Sequence, residues 1–370
     1  MFLKPVFIPG YHDLGFRNPD VITPNIDALA TEGVIFTNNY VQSVCTPSRH
    51  ALLTGRYPHR SAMQNLVIMS NQARCTGLGY KFLPEYLKDL GYSTHAVGKW
   101  HVGYCREECL PTHRGFDSFF GLYDGDGYYW NHTSTVIPGA FDWNNSTGVY
   151  LEARGIHSED LGAERLTAIL DGQNAKEPFF LYFSPQNPHT PSQPQAEFLN
   201  LYPENRYPDI RRKYLGLVSG LDRMVGGIVD GLKRNGLMNN TYIIFVSDNG
   251  ADPEEGLNDP FRGGKGSLFE GGTKSASFIY SPLLNKAGYE NNGLMHITDW
   301  MPTILKLAGG SIPEGEQLDG IDQSDMVKNG KASQRKKMVY SIDREADKFA
   351  PLTGEIAVRW VIHNAPPVLV

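Results

Sequence analysis

Short unbroken apolar runs alternate along this chain with stretches whose apolar residues recur every three or four positions. The unbroken runs are Val34 to Phe36, Ser93 to Val97, Pro178 to Phe183, Tyr242 to Val246 and Ala276 to Tyr280. Runs without polar alternation suit strands covered on both faces. Between them, helices are predicted over 25–31, 81–90, 158–170, 209–234 and 298–308. Thr23 and Pro24 offer the first an N-cap and an initial turn, and Gly33 lies near its stop. The longest, 209–234, carries Tyr214, Leu217, Leu221, Met224, Ile228 and Leu232 on one face. This alternation predicts an α/β fold with a mainly parallel central sheet and helices on both faces. Active residues in such folds lie beyond the carboxyl ends of the strands.

Composition narrows the function classes. The chain has 370 residues, 41% of them hydrophobic, and a formal charge of −6, a balance that argues against a dedicated nucleic-acid binder. No apolar run approaches the roughly 18 residues of a membrane span. Gly and Pro, 39 and 24 residues, imply many tight turns. Residues 309–337 read as a surface connection, followed by strand-like pieces at 338–342 and 356–362.

The candidate chemistry starts at Cys45-Thr-Pro-Ser-Arg49, followed by Leu53-Thr-Gly-Arg56. Pro47 fits the first turn of a helix that Cys45 opens, and a helix N-terminus favours an anion. Arg49 lies one turn further along. An activated Cys, or a group derived from it, facing an anionic substrate is one reading, and a small buried hydrophobe is the other.

The complete string resembles the signature of the sulfatase family, nearest its arylsulfatase B, I and J subgroup. Gly98-Lys-Trp-His101, Arg106 to Asp117, Ser247-Asp-Asn-Gly250, Arg262 to Gly272 and His296 to Thr303 extend the resemblance over residues 10–325. It implies an alkaline-phosphatase-like sandwich that hydrolyses a sulfate ester on a sulfated glycan such as a glycosaminoglycan. It also implies oxidation of Cys45 to Cα-formylglycine by a formylglycine-generating enzyme, with a hydrated aldehyde oxygen attacking sulfur. Cys45, Asp248 and Asn249 would hold one Ca²⁺, a hard cation that suits oxygen donors. Lys99, His101, His189 and Lys265 would surround the sulfate, and Arg49 would orient residue 45. Among these, His101 would help expel the sulfate and His189 would stand near the leaving oxygen.

The resemblance further implies a Cys75–Cys109 disulfide and leaves Cys105 without a partner. Sequons at Asn131, Asn144, Asn145 and Asn239 agree with a secretory route, to the lysosome or outside the cell.

Two departures stand out. The family's paired aspartates at the end of the first strand are metal ligands, and here Phe7 and Ile8 stand in that region. Asp13 matches a family aspartate that binds no metal. The start of the chain carries no secretory signal and reads as a missing beginning. The division expected is 1–325, a catalytic domain with an incomplete first strand, and 326–370, the start of a truncated α+β subdomain. A sulfatase-like protein that binds sulfated glycans without turnover is the alternative reading, and a phosphatase of related fold is a third.

Overall fold

The computed structural model describes residues 2–7, 9–64, 66–342, 356–360 and 368–369. The strands are β1 Phe2–Phe7, β2 Val34–Phe36, β3 Asn39–Tyr40, β4 Ser93–Gly98, β5 Ser118–Gly121, β6 Asn144–Asn145, β7 Gly148–Val149 and β8 Phe179–Ser184. There follow β9 Tyr242–Ser247, β10 Ser277–Tyr280, β11 Tyr289–Asn291, β12 Met295–His296, β13 Lys337–Ile342, β14 Ile356–Trp360 and β15 Val368–Leu369. The helices are α1 Pro24–Glu32, α2 Cys45–Thr54, α3 Leu83–Asp89, α4 Ser158–Asp171, α5 Ala196–Leu199, α6 Asp209–Arg234, α7 Glu270–Thr273, α8 Trp300–Leu307 and α9 Ser324–Asn329.

One large sheet runs in the order β11-β2-β10-β9-β1-β8-β4-β5-β6-β7. Its centre, β9-β1-β8-β4-β5, is parallel throughout, and antiparallel pairings appear only outside that centre, at β10 and at the β6–β7 hairpin. The unbroken apolar runs are explained by two buried faces. In β8 and β9, Phe179, Leu181, Phe183, Ile243 and Phe245 meet α1, α4 and α6. Their alternates Phe180, Tyr182, Tyr242, Ile244 and Val246 meet α2, α3 and α8 on the other face. No described helix is long and apolar enough to cross a membrane.

Several local expectations change. Phe2–Phe7 forms a strand in the central slot between β8 and β9. Thr23 sits at the N-cap of α1 but its hydroxyl does not cap. It donates to Asp27 at 2.8 Å, while Asp222 on α6 accepts from the N–H groups of Asn25 and Ile26. The stretch 309–337 contains the helix α9, which buries Met326 and Val327. The strands β5, β6 and β7 extend the sheet beyond the runs read from the pattern. Strand-like pieces at 338–342 and 356–362 correspond to β13 and β14, which pair with β15 in a separate antiparallel sheet, with Arg359 bonded to Tyr340. Residues 361 and 362 lie outside the described residues.

Candidate active site

The parallel strands deliver their carboxyl ends to one edge. Lys99 to His101 follow β4, His189 follows β8 and Asp248-Asn249 follow β9. Cys45 reaches the same place as the first residue of α2, whose ten residues are all buried. Val44 precedes it in extended conformation without a side-chain cap, so the positive end of the helix is turned on position 45.

Cys45 is 1% exposed. Its Sγ accepts from Lys99 Nζ at 3.2 Å and donates to Asn249 Oδ1 at 3.3 Å. Arg49 ties the surrounding segments together. Its Nε donates to Asp248 Oδ2 at 2.9 Å, with Nη2 equally close, and Nη1 donates to Lys99 O at 2.8 Å and Ser184 Oγ at 2.5 Å. Burial opposes the Arg49 charge, but the Asp248 carboxylate outweighs it and raises the pKa. Lys99 has no carboxylate of its own. Burial lowers its pKa, although a charge on Cys45 would act the other way.

His101 adopts a left-handed φ of 56°. Its Nε2 lies 3.1 Å from Ile68 O, so the hydrogen belongs there and Nδ1 is a buried acceptor without a partner. Burial, then the charges of Lys99 and Arg49, hold this imidazole well below its ordinary pKa and keep it neutral. His189 donates from Nδ1 to Thr190 O at 2.8 Å, which leaves Nε2 to accept from Lys265 Nζ at 2.8 Å. Burial, then Lys265 and Lys99, likewise depress its pKa. Lys99 bonds Cys45 directly, and His101, His189 and Lys265 line the same cleft as Cys45.

Other residues at this edge escape sequence reasoning. Thr46 Oγ1 donates to His101 O at 2.9 Å and accepts from Ile68 N at 3.1 Å. Tyr129 Oη donates to His189 O at 2.9 Å. Glu159, whose carboxyl burial pushes up to about 8, accepts from Asn187 in the His189 loop at 2.6 Å. Gly125 is required by contact, since a Cβ there would lie 2.3 Å from His101 Cε1. Ser184 announces itself only through Arg49. These are partnerships across tens to hundreds of residues, with no local signal beyond the residue types.

A cleft of about 280 Å³ opens on the site. Val67, Ile68 and Met69 line one part of it, and Asp124 and Asp126 line another, beside His189 and Lys265. Asp124 gives both carboxylate oxygens to Ser70 and Gly125, whereas Asp126 bonds Thr135 through Oδ1 alone among the described residues.

Two donors fit one side of a hard cation. Asp248 Oδ1 is buried without a hydrogen-bond partner, and Asn249 Oδ1 meets only the weak thiol donor. Asp13 is not a third ligand. It is buried and satisfied by Gly10, Tyr214, Leu257 and Arg211. Pro9, whose carbonyl accepts from Ser247 Oγ, and Gly10 supply no side-chain oxygen from the first strand. The rest of a six- to eight-fold shell would have to be water.

The sulfatase family model matches residues 10–311. Mouse arylsulfatase J is 40% identical over 338 residues, covering 90% of this chain and 56% of that protein. Human arylsulfatase A is 32% identical over 375 residues, covering 94% of this chain and 71% of that protein. The chain therefore spans just over half the length of the first relative. Among solved structures, Ps i-CgsB in complex with k-i-k-neocarrahexaose superposes with a TM-score of 0.87 at 29% identity, covering 100% of this chain and 85% of that one.

Proposed function

We propose that this chain, which belongs to the sulfatase family, hydrolyses a sulfate monoester carried on a glycan, with position 45 as the nucleophilic centre. The observation that carries this reading is the buried convergence of Lys99, Arg49, Asp248 and Asn249 on Cys45 at the N-terminus of α2. The comparisons support the reaction class, and the carbohydrate in the related complex supports the kind of substrate.

Oxidation of Cys45 to Cα-formylglycine would supply a hydrated aldehyde oxygen as nucleophile, and Cys45 Sγ stands in for that oxygen in the present geometry. A divalent cation, Ca²⁺ by the hardness of the donors, would be held by Asp248 Oδ1, Asn249 Oδ1 and the oxygen at position 45, and would polarise sulfate oxygens. Arg49 occupies Asp248 Oδ2, which fixes the carboxylate and leaves Oδ1 directed elsewhere. Lys99 places a cation at position 45 in a water-poor pocket, where it stabilises charge developing on sulfate oxygens. His101 is neutral and has a free acceptor at Nδ1, so it can take a proton from the residue-45 group as sulfate departs. The Lys265–His189 pair carries the other proton. Held at Lys265 Nζ and shared with His189 Nε2, it is available to the leaving oxygen.

The cleft suits a sugar. Val67, Ile68 and Met69 offer an apolar wall to ring C–H groups, and Asp126 Oδ2 is an acceptor for a hydroxyl. We assign the catalytic unit to residues 1–329, beyond the expected boundary at 325 because α9 buries Met326 and Val327 in its core, and a smaller second unit to 330–370, which the separate β13–β14–β15 sheet supports. A secretory route to the lysosome or outside the cell is supported by the Cys75–Cys109 disulfide. The sequons agree, because Asn131 and Asn239 are exposed and Asn145 is half-buried, whereas Asn144 is buried. A formylglycine-generating enzyme is the partner this scheme requires during synthesis.

The test is mass spectrometry of the Cys45 peptide after secretory expression, together with sulfate release from an aryl sulfate. An unmodified thiol with no release refutes the reading. The absence of carboxylates at Phe7 and Ile8 favours one second reading, a glycan-binding protein without turnover. Glycan binding with no response to Ca²⁺ would select it.

A further inference from the structure

We propose that Cys75, Cys105 and Cys109 form a thiol–disulfide exchange site, in which Cys105 converts the Cys75–Cys109 bridge into Cys75–Cys105. The three sulfurs lie within 4.8 Å of one another. Cys75 and Cys109 are bonded, and Cys105 is a free, exposed thiol. A nucleophile therefore stands beside a disulfide within the same chain, and no outside oxidant or reductant is needed.

Proximity is built into the backbone. Gly103 passes so close to Cys75 that a Cβ at position 103 would lie 2.3 Å from Cys75 Cα. Thr76 N donates to Val102 O at 2.9 Å across the same contact. Cys105 follows two residues later and precedes the short helical turn Glu107–Cys109.

In the step, Cys105 loses its proton to solvent and its thiolate attacks Cys75 Sγ. The Cys105–Cys75 bond forms as the Cys75–Cys109 bond breaks, and Cys109 leaves as a thiolate that takes up a proton. The disulfide count and the oxidation state of the chain are unchanged. Attack falls on Cys75 because that residue is half-buried, whereas Cys109 is 2% exposed. The released Cys109 becomes a small buried thiol, a common state for that side chain. The new bridge closes a loop only four residues shorter, so the two isomers carry nearly the same loop-closure entropy.

The exchange reaches the neighbouring segment. Trp100 Nε1 donates to Gly103 O and Cys109 O, both at 3.2 Å, and Trp100 stands between Lys99 and His101. Any consequence for turnover rests on the function proposed above, whereas the exchange itself does not.

Trypsin separates the three cysteines, cutting after Arg74, Lys81, Lys99, Arg106 and Arg114 into peptides 75–81, 100–106 and 107–114. The intact protein is held at neutral pH without added thiol, blocked with N-ethylmaleimide, digested without reduction and mapped by mass spectrometry. Expected are two populations, 75–81 joined to 107–114 with the label on Cys105, and 75–81 joined to 100–106 with the label on Cys109. Cys105→Ser retains only the first. Cys109→Ser joins 75–81 to 100–106. The proposal is overturned if the wild type yields only the first pair after prolonged incubation, or if Cys109→Ser carries label on both Cys75 and Cys105. A 100–106 to 107–114 pair overturns the assignment of Cys75 as the sulfur attacked.

Discussion

Lys99 is a buried cation that forms no ion pair with a carboxylate among the described residues. Asp248 Oδ2 is held by Arg49 at 2.9 Å, and the one hydrogen bond to the Lys99 ammonium among the described residues is a thiol at 3.2 Å. Burying such an ion costs several kcal/mol, and a hydrogen bond involving a charged group returns about 1.5–3 kcal/mol. Lys99→Met keeps the length of the stem and removes the charge. We therefore expect the folded state to gain about 1–3 kcal/mol, or about 1–4 °C in melting temperature for a chain of this size. Sulfate release should fall about 100- to 1,000-fold, the range for loss of one charge-stabilising group in a dry site. The assays are urea denaturation of wild type and variant side by side, and turnover of an aryl sulfate. A destabilisation of more than about 2 kcal/mol would refute the reasoning, because Lys99 would then be a structural tie and not a group kept at the expense of stability.

Four further outcomes follow from the geometry. Gly125→Ala should displace the His101 ring and lower turnover, with an overpacking cost of about 1–3 kcal/mol measured by thermal melting. Asp126→Asn should raise KM for a sulfated oligosaccharide while leaving KM for an aryl sulfate within about twofold, and equal changes for both substrates would count against the sugar-facing role. Ca²⁺ should raise the melting temperature of the wild type but not of Asp248→Asn, which should also lose about 3–5 kcal/mol by leaving Arg49 without its carboxylate. Acid should destabilise the fold. Burial pushes His50 down to about 3 and holds His101, His189 and His296 well below the ordinary value, so their contribution is present above about pH 6.5 and lost as pH falls toward the folded pKa values. Asp142 and Asp222, raised to about 6, act in the opposite sense between about pH 4 and 6, and Glu159, raised to about 8, does so from about pH 4.5 upward. Four histidines outweigh them below pH 6, which denaturant melts from pH 7 to 5 will measure.

Elements buried on both sides are the ones whose sequences speak for themselves. β8 and β9 are unbroken apolar because each face has its own helical layer, and α6 carries a long stripe because it spans one of them. β5 is not readable this way, as its four residues include only two large apolar side chains. α9 hides in a polar stretch because it buries just Met326 and Val327. At the site, Cys45, Lys99, His101, His189, Asp248, Asn249 and Lys265 stand in recognisable strings. Ser184, Thr46 and Gly125 do not, since each matters through an approach that only the folded sheet creates. The side chains of Phe7 and Ile8, where the family's aspartates stand, lie outside the described residues.

The burial of α2 sets a clock. Once Cys45 is 1% exposed at the base of the cleft and bonded to Lys99 and Asn249, a second protein cannot engage its sulfur without opening the fold. Any enzymatic oxidation of this cysteine therefore belongs to the interval between its synthesis and the closing of the sheet. That interval is long, because Arg49 cannot meet Asp248 until about 200 further residues have been made, some 10–40 seconds at ordinary elongation rates. If Cys45 is oxidised as proposed, a mutation that hastens early compaction of residues 34–100 would lower the oxidised fraction, read by mass spectrometry of the Cys45 peptide, without touching the finished site.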